Sequence, residues 1–229
     1  MTQFAFRAAS IATSMPANDN FVGNNSNVNI TTQPTAAPIS DAINNVRFAC
    51  TGFAGHGAFE TALFTLNTAY TFNFRPRAIG RLTAHTHFMP QGGFSLVGRA
   101  PTWFFDGPGS VSFNILARMR VRVFAANGTM PLNILTPFIN VFHGDALGGA
   151  VADSSEGSVD SNVLEHFISR TFETIVVLTD VVQVQARYTV QAMAVDGAEF
   201  ALDFASIPPA FGQPGDGLNA PFAVINIAR

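Results

Sequence analysis

From Val46 onward, apolar and polar side chains alternate with a period of two. Val111, Phe113, Ile115, Ala117, Met119, Val121 and Val123 form one unbroken apolar row. Val182, Val184, Ala186, Tyr188, Val190, Ala192 and Ala194 form another, with Gln183, Gln185, Arg187, Thr189 and Gln191 on the other side. A shorter row, Tyr70, Phe72 and Phe74, alternates with Thr71 and Asn73. Successive side chains of a strand point to opposite faces, so each row predicts a strand with one buried and one wet face.

Helical spacing is scarce. The best candidate is Asn162 to Arg170, capped by Ser161 or Asp160, with Val163, Leu164, Phe167 and Ile168 on one side. Pro and Gly mark loops at 106–109, 144–157 and 207–221. Asp196-Gly197 predicts a hairpin turn. A loop from Val195 to Gly197 would set Ala192 beside Phe200, Val190 beside Leu202 and Tyr188 beside Phe204, apolar on apolar, with Gly197 in the left-handed region. About ten short strands, no strand-helix alternation and no internal repeat predict an all-β chain. The expected architecture is an antiparallel two-sheet sandwich of jelly-roll type with at most one or two short helices.

Residues 1–45 read as a polar Asn/Thr/Pro-rich N-terminal arm and 46–229 as a single β-sandwich domain. The arm cannot bury enough apolar surface to fold alone, so it is expected as a disordered tail or as a segment laid over a neighbouring subunit.

Composition changes this picture in one respect. Charged residues are 12% of the chain, about half the usual share, while the apolar share of 48% is ordinary. Every basic residue is Arg; there is no Lys. So thinly charged a surface suits one covered by other subunits, or one solvated by Asn, Thr, Ser and Gln. Of the 26 aromatic residues implied by 23 Phe, 2 Tyr and 1 Trp, nearly all are Phe, which brings no polar group needing a partner and suits a thick, dry core. A lone Cys50 excludes an internal disulfide framework and a multi-cysteine zinc site. A net charge of −3 argues against a generally basic nucleic-acid binder. No apolar run is long enough for a membrane helix and no signal peptide is recognisable, so a soluble protein is expected.

The charges are sorted by sign. Arg75, Arg77, Arg81, Arg99, Arg118, Arg120 and Arg122 crowd one stretch that holds a single acid, Asp106, and most acids follow Gly144. Arg118, Arg120 and Arg122 fall on alternate positions of one predicted strand, so their guanidinium groups stand in a row. Three like charges in a row call for an anionic neighbour: carboxylates of the same chain, those of a second subunit, or an anionic ligand such as a phosphate or acidic glycan.

His85-Thr86-His87 is the most suggestive metal spacing, since two His at i and i+2 of a strand point the same way. Gly80, His85, His87, Gln91 and Gly98 together resemble the first motif of the cupins, with one residue fewer after the first Gly and Gln91 where that family has Glu. The resemblance implies a divalent transition metal on His85, His87 and Gln91. The pattern itself sets Leu82, Ala84 and Phe88 on the apolar side and Arg81, Thr83, His85 and His87 on the polar side, which turns both His outward. Gly52 to Gly57 lacks the Lys-Ser/Thr of a phosphate loop. His166 beside Glu165 lacks a nucleophile, and the convergence of His143, Asp145 and Asp153 is open.

Three readings follow. The first is a non-enzymatic self-associating subunit of a homo-oligomeric shell, coat or fibre. The second is a β-rich binding or pore-forming protein of lectin or toxin type. The third is a cupin-like metal-dependent enzyme using His85 and His87.

Overall fold

The computed structural model describes residues 5–7, 19–33, 42–55, 61–76, 78–101, 107–148, 153–159, 166–205, 216–220 and 223–228, with side-chain environments from Arg47 onward. The strands are β1 (Ala5–Arg7), β2 (Asp19–Gln33), β3 (Ala42–Phe53), β4 (Thr61–Pro76), β5 (Gly80–Val97), β6 (Ser110–Phe124), β7 (Leu132–Leu135), β8 (Ile139–Leu147), β9 (Ser154–Val159), β10 (His166–Val176), β11 (Val181–Val195), β12 (Glu199–Phe204), β13 (Gly217–Asn219) and β14 (Ala223–Ala228). No helix occurs among the described residues.

Two antiparallel sheets pack face to face. In the first, β1, β3, β12, β5 and β10 lie side by side; β13 and β14 extend the line of β12 along one edge of β5, and β9 extends β10 along the other. In the second, β2, β4, β11 and β6 are followed by β7 and β8, which share the far edge of β6. The inner eight positions read β3-β12-β5-β10 and β4-β11-β6-β8, and the chain crosses repeatedly from one sheet to the other. That is the eight-strand wrapping of a jelly roll.

The alternating rows do what their period demands. The apolar rows of β6 and β11 are buried, and the two strands pair from Val181 opposite Phe124 to Val195 opposite Ser110. Tyr70, Phe72 and Phe74 of β4 are fully buried beside them. A chain of Phe rings ties the two sheets: Phe64 to Phe48 at 5.6 Å, Phe48 to Phe204 at 4.9 Å, Phe204 to Phe113 at 6.0 Å, and Phe113 to Phe94 at 5.8 Å between centroids. The glycines of these strands make room for the rings. A methyl at Gly52 would sit 2.3 Å from Phe200 Cζ, and one at Gly92 would sit 2.5 Å from Phe204 Cγ.

Three expectations are corrected. The helix from Asn162 to Arg170 does not form over its second half, where His166 to Arg170 begin β10; residues 160–165 lie outside the described residues. Along β10 the buried positions are Ile168, Phe172 and Val176, four apart, because the intervening same-face residues Arg170 and Thr174 are polar. A helix would set Phe167 and Ile168 on one side; in β10 they face opposite ways, Phe167 exposed and Ile168 buried, and pairing with β5 decides for strand. The hairpin across Asp196-Gly197 is replaced by a crossover. The turn is present, with φ of 53° at Asp196 and 82° at Gly197, the left-handed value expected of Gly197. However, β11 pairs with β4 and β6 while β12 pairs with β3 and β5. Matching apolar faces can meet across the core as well as side by side, and here they do the former. Finally, the predicted loops are shorter than expected: 207–221 contains β13, held between β3 and β5, and 144–157 holds the end of β8 and the start of β9.

β13 explains the two tyrosines. Tyr70 donates its hydroxyl to the carbonyl of Leu218, and Tyr188 donates to that of Asn219 at 2.6 Å, both in the interior. Burial, with Tyr70 as a neighbour, pushes the Tyr188 phenol well above its ordinary range, so it stays a neutral donor. Tyr188→Phe keeps the ring packing and removes the hydroxyl bound to the Asn219 carbonyl, and is expected to cost about 0.5–1.5 kcal/mol in denaturant unfolding. A cost below about 0.5 kcal/mol would show that the bond does not hold β13. The same group sets a pH dependence. An unfolded tyrosine loses its proton near 10 and the folded one higher, so the Tyr188 contribution is complete below about pH 10 and is lost as pH rises beyond it. The Phe variant lacks that part of the alkaline loss.

Candidate functional site

The outward face of the second sheet is built of amides, hydroxyls and arginines held in rows across the strands. Arg122 donates to Gln183 Oε1 (3.2 Å), and Gln183 donates onward to Asn73 Oδ1 (3.1 Å). Gln185 donates to Thr71 Oγ1 (3.0 Å), and Thr189 to Asn67 Oδ1 (2.8 Å). Arg120 donates from Nε to Asn133 Oδ1 of β7 (3.0 Å). The rows through β11 follow strand register, since Arg122, Gln183 and Asn73 are direct cross-strand partners, as are Gln185 with Thr71 and Thr189 with Asn67; Arg120 reaches diagonally to Asn133, the partner of Arg122. Cross-strand pairs on one face are close neighbours, so the ladder follows from putting Gln, Asn and Thr at outward positions of the adjacent strands β4 and β11.

Within this face the predicted arginine row is real and larger than its sequence spacing indicated. Arg118, Arg120 and Arg122 all point outward from β6, and β11 sets Arg187 directly opposite Arg118. Burial, then the neighbouring Arg120, lowers the pKa of Arg118 and Arg122; burial, then all three β6 arginines, lowers that of Arg187. The four stay charged, since a guanidinium does not lose its proton in a protein. Among the described residues no carboxylate lies within ion-pair distance of any of them; Arg81 pairs with Glu173 (3.5 Å) and His143 with Asp145 (3.5 Å), away from the cluster. The Nε atoms of Arg118 and Arg122 are buried without a hydrogen-bond partner. Apolar groups border the cluster: Leu116 lies next along β6, Leu135 opposite Arg120, and the Phe138 ring 4.2 Å beneath the Arg118 guanidinium. Leu135 and Phe138 are 40% and 43% exposed.

Arg187 was legible in the sequence as one polar position among Gln and Thr, and only register shows that it completes a quartet. Of the acids, Asp145 shares the face but stands opposite Ser112, six residues from Arg118 and about 20 Å away along the strand.

The His pair lies on the outward face of the first sheet, as the polar side of its strand required. His85 Nε2 accepts from Asn226 (3.1 Å), and His87 is buried in a stack on Phe167 with centroids 4.2 Å apart. Gln91 follows four residues later, about 13 Å of extended strand from His87, opposite Gly217. Among the described residues no group of three or more His, Cys, Asp or Glu gathers to hold a metal ion. His143 donates from Nδ1 to Asn114 Oδ1 (2.6 Å) and turns Nε2 to Asp145, while Asp153 joins no such group. Glu165 and residues 56–57 lie outside the described residues, and Gly52 is an interior position of β3. Burial pushes the Cys50 thiol up, which removes it as a nucleophile at neutral pH.

On the first sheet's outer face, Thr51, Phe53, Ser95, Val97, Glu199 and Ala201 line an open trough of about 480 Å³. Nothing in the linear sequence pointed to it, because its walls come from three strands far apart in the chain.

Fold and surface together define a jelly-roll β-sandwich carrying an arginine-bearing amide ladder on one face. No protein-family model matches the chain, and no curated protein matches it. Among solved structures, the carbohydrate-binding module TmCBM61 in complex with β-1,4-galactotriose is 8% identical, with 78% of this chain and 83% of that chain covered and a TM-score of 0.21. The enzymatically active domain of bacteriophage CBA120 tailspike protein 4 is 11% identical over 81% of this chain and 19% of its own, with a TM-score of 0.21. An infectious bursal disease virus structure, Gx strain, is 10% identical over 85% and 39%, with a TM-score of 0.14. Likeness at these scores carries no argument about function. No helix among the described residues is long and apolar enough to cross a membrane.

Proposed function

We propose that the protein is a non-enzymatic, self-associating structural subunit of a homo-oligomeric shell, coat or fibre. One observation carries the reading: Arg118, Arg120, Arg122 and Arg187 gather on a sheet face with no carboxylate of the described chain in reach. Four close guanidinium groups raise the free energy of the isolated subunit, and a carboxylate-bearing partner surface lowers it. The surroundings suit a protein partner. Arg and aromatic residues are enriched at protein interfaces and Lys is depleted, and this patch joins Arg to exposed Phe138 and Leu135 in a chain without Lys. The jelly-roll fold alone is neutral on function, since it serves coats, lectins and enzymes alike.

The test is mass by light scattering at micromolar concentration in low and high salt. An assembly in 0.15 M salt that loosens in 1 M salt is expected, because exposed charge contacts are screened over about 3 Å at 1 M. A monomer in 0.15 M salt overturns the proposal. The trough favours a second reading, a glycan-binding sandwich in which Phe53 stacks on a sugar ring and Glu199 accepts its hydroxyls. Retention on a glycan array, lost in Phe53→Ala, would support that reading instead.

A further inference from the structure

We infer that copies of this chain dock head to tail, the arginine face of one sandwich seating on the acid-lined trough of the next. The inference rests on the self-association reading above and adds which two surfaces meet.

The second surface is read from register. On the outer face of the first sheet Phe53, Glu199 and Val97 form one row across β3, β12 and β5, and Thr51, Ala201, Ser95 and Glu156 form the next, reaching β9. Ala201, Ser95 and Thr51 keep the floor low, and Glu199 and Glu156 stand above it at exposed positions. Ser95 donates its hydroxyl to Glu156 (3.2 Å). Neither glutamate forms an ion pair among the described residues. Phe53, 54% exposed, closes one end of the trough.

The spacings agree. Glu199 and Glu156 are two strands and one row apart, about 12 Å at ordinary strand spacing and rise. Arg187 is one strand and one row from Arg120, about 8 Å, and one strand and two rows from Arg122, about 14 Å. Flexible Arg side chains span that difference, and each guanidinium presents a fork suited to a carboxylate. Apolar Phe138 and Leu135 on one surface and Phe53 on the other supply the dehydrating contacts.

Within one chain these groups cannot meet. They lie on opposite outer faces, and Glu199 lies beyond the far end of β11: Arg187 is at the middle of that strand, about 26 Å before its last residue Val195, and Arg122, opposite Gln183, is about 40 Å before it. The contact therefore joins different patches on the two copies, which generates a ring or an open series rather than a two-fold dimer.

Two neutralised variants test this. Arg120→Gln with Arg187→Gln spoils the arginine face, and Glu156→Gln with Glu199→Gln spoils the trough. Each alone is expected to associate at least about tenfold more weakly than the native chain, about 1.4 kcal/mol. Their equimolar mixture retains one good surface of each kind and is expected to give a two-chain species and nothing larger in sedimentation. A chain carrying Arg120→Glu, Arg187→Glu, Glu156→Arg and Glu199→Arg is expected to assemble again, and guards against loss of folding as the explanation. The inference is overturned if the trough variant assembles like the native chain, or if the mixture contains only monomers. A native chain that is itself monomeric overturns the self-association reading and this inference with it, so the two failures are distinguishable.

Discussion

Phe113→Ala lowers the free energy of unfolding by about 3–5 kcal/mol. Phe113 is fully buried on β6 and meets Phe94 at 5.8 Å, Phe142 at 5.4 Å and Phe204 at 6.0 Å between ring centroids. Phe204 belongs to the facing sheet, so the truncated ring leaves its hole between the two layers. Rigid paired strands on both sides limit collapse into it. Because single domains are stable by only about 5–15 kcal/mol, the variant gives up a large share of the total. Ile115→Val, two residues along the same buried row, calibrates the measurement at about 0.5–1.5 kcal/mol. Guanidinium unfolding of the three proteins checks the order. A Phe113→Ala cost no larger than that of Ile115→Val would contradict the ring chain as the tie between the sheets.

Replacing Arg118, Arg120 and Arg122 together by Gln has effects of opposite sign on assembly and on the subunit. Assembly is lost, since the groups that attract a carboxylate surface are gone. The subunit itself melts no lower than the native chain, because the change removes repulsion among Arg118, Arg120, Arg122 and Arg187, which among the described residues have no carboxylate in ion-pair distance. Gln also keeps the outer face in the amide ladder that Gln183 and Asn73 already form. Mass and melting temperature of the variant, each measured at 0.15 M and 1 M salt, read both effects. Unchanged mass would count against the arginine cluster as a contact. A melting point several degrees lower would show that the cluster is neutralised within the chain and stabilises the fold.

The sequence carried the strands well because period two is a local property. Residues such as Val111 to Val123 announce their buried face without reference to any partner, and they are buried. It misled where two arrangements obey the same local rule. Ala192, Val190 and Tyr188 match Phe200, Leu202 and Phe204 whether they lie beside them or across the core from them. Phe167 and Ile168 are neighbours that a helix would set on one side, whereas in β10 they face opposite ways, Phe167 outward and Ile168 inward. The outward turn of His85 and His87 was legible by the same alternation, while their settings against Asn226 and Phe167 were not.

By itself, then, the sequence determined the all-β class, the buried and wet faces of the long strands, the left-handed Gly197 turn and a row of three arginines. Tertiary structure decided which strands are neighbours. That choice alone made three arginines into four, turned a presumed loop into the carbonyl partners of Tyr70 and Tyr188, and gathered Thr51, Ser95 and Glu199 around one trough. The physical reason is that side-chain period is set by bonds within a residue pair, whereas lateral pairing is set by hydrogen bonds and packing between segments far apart in the chain.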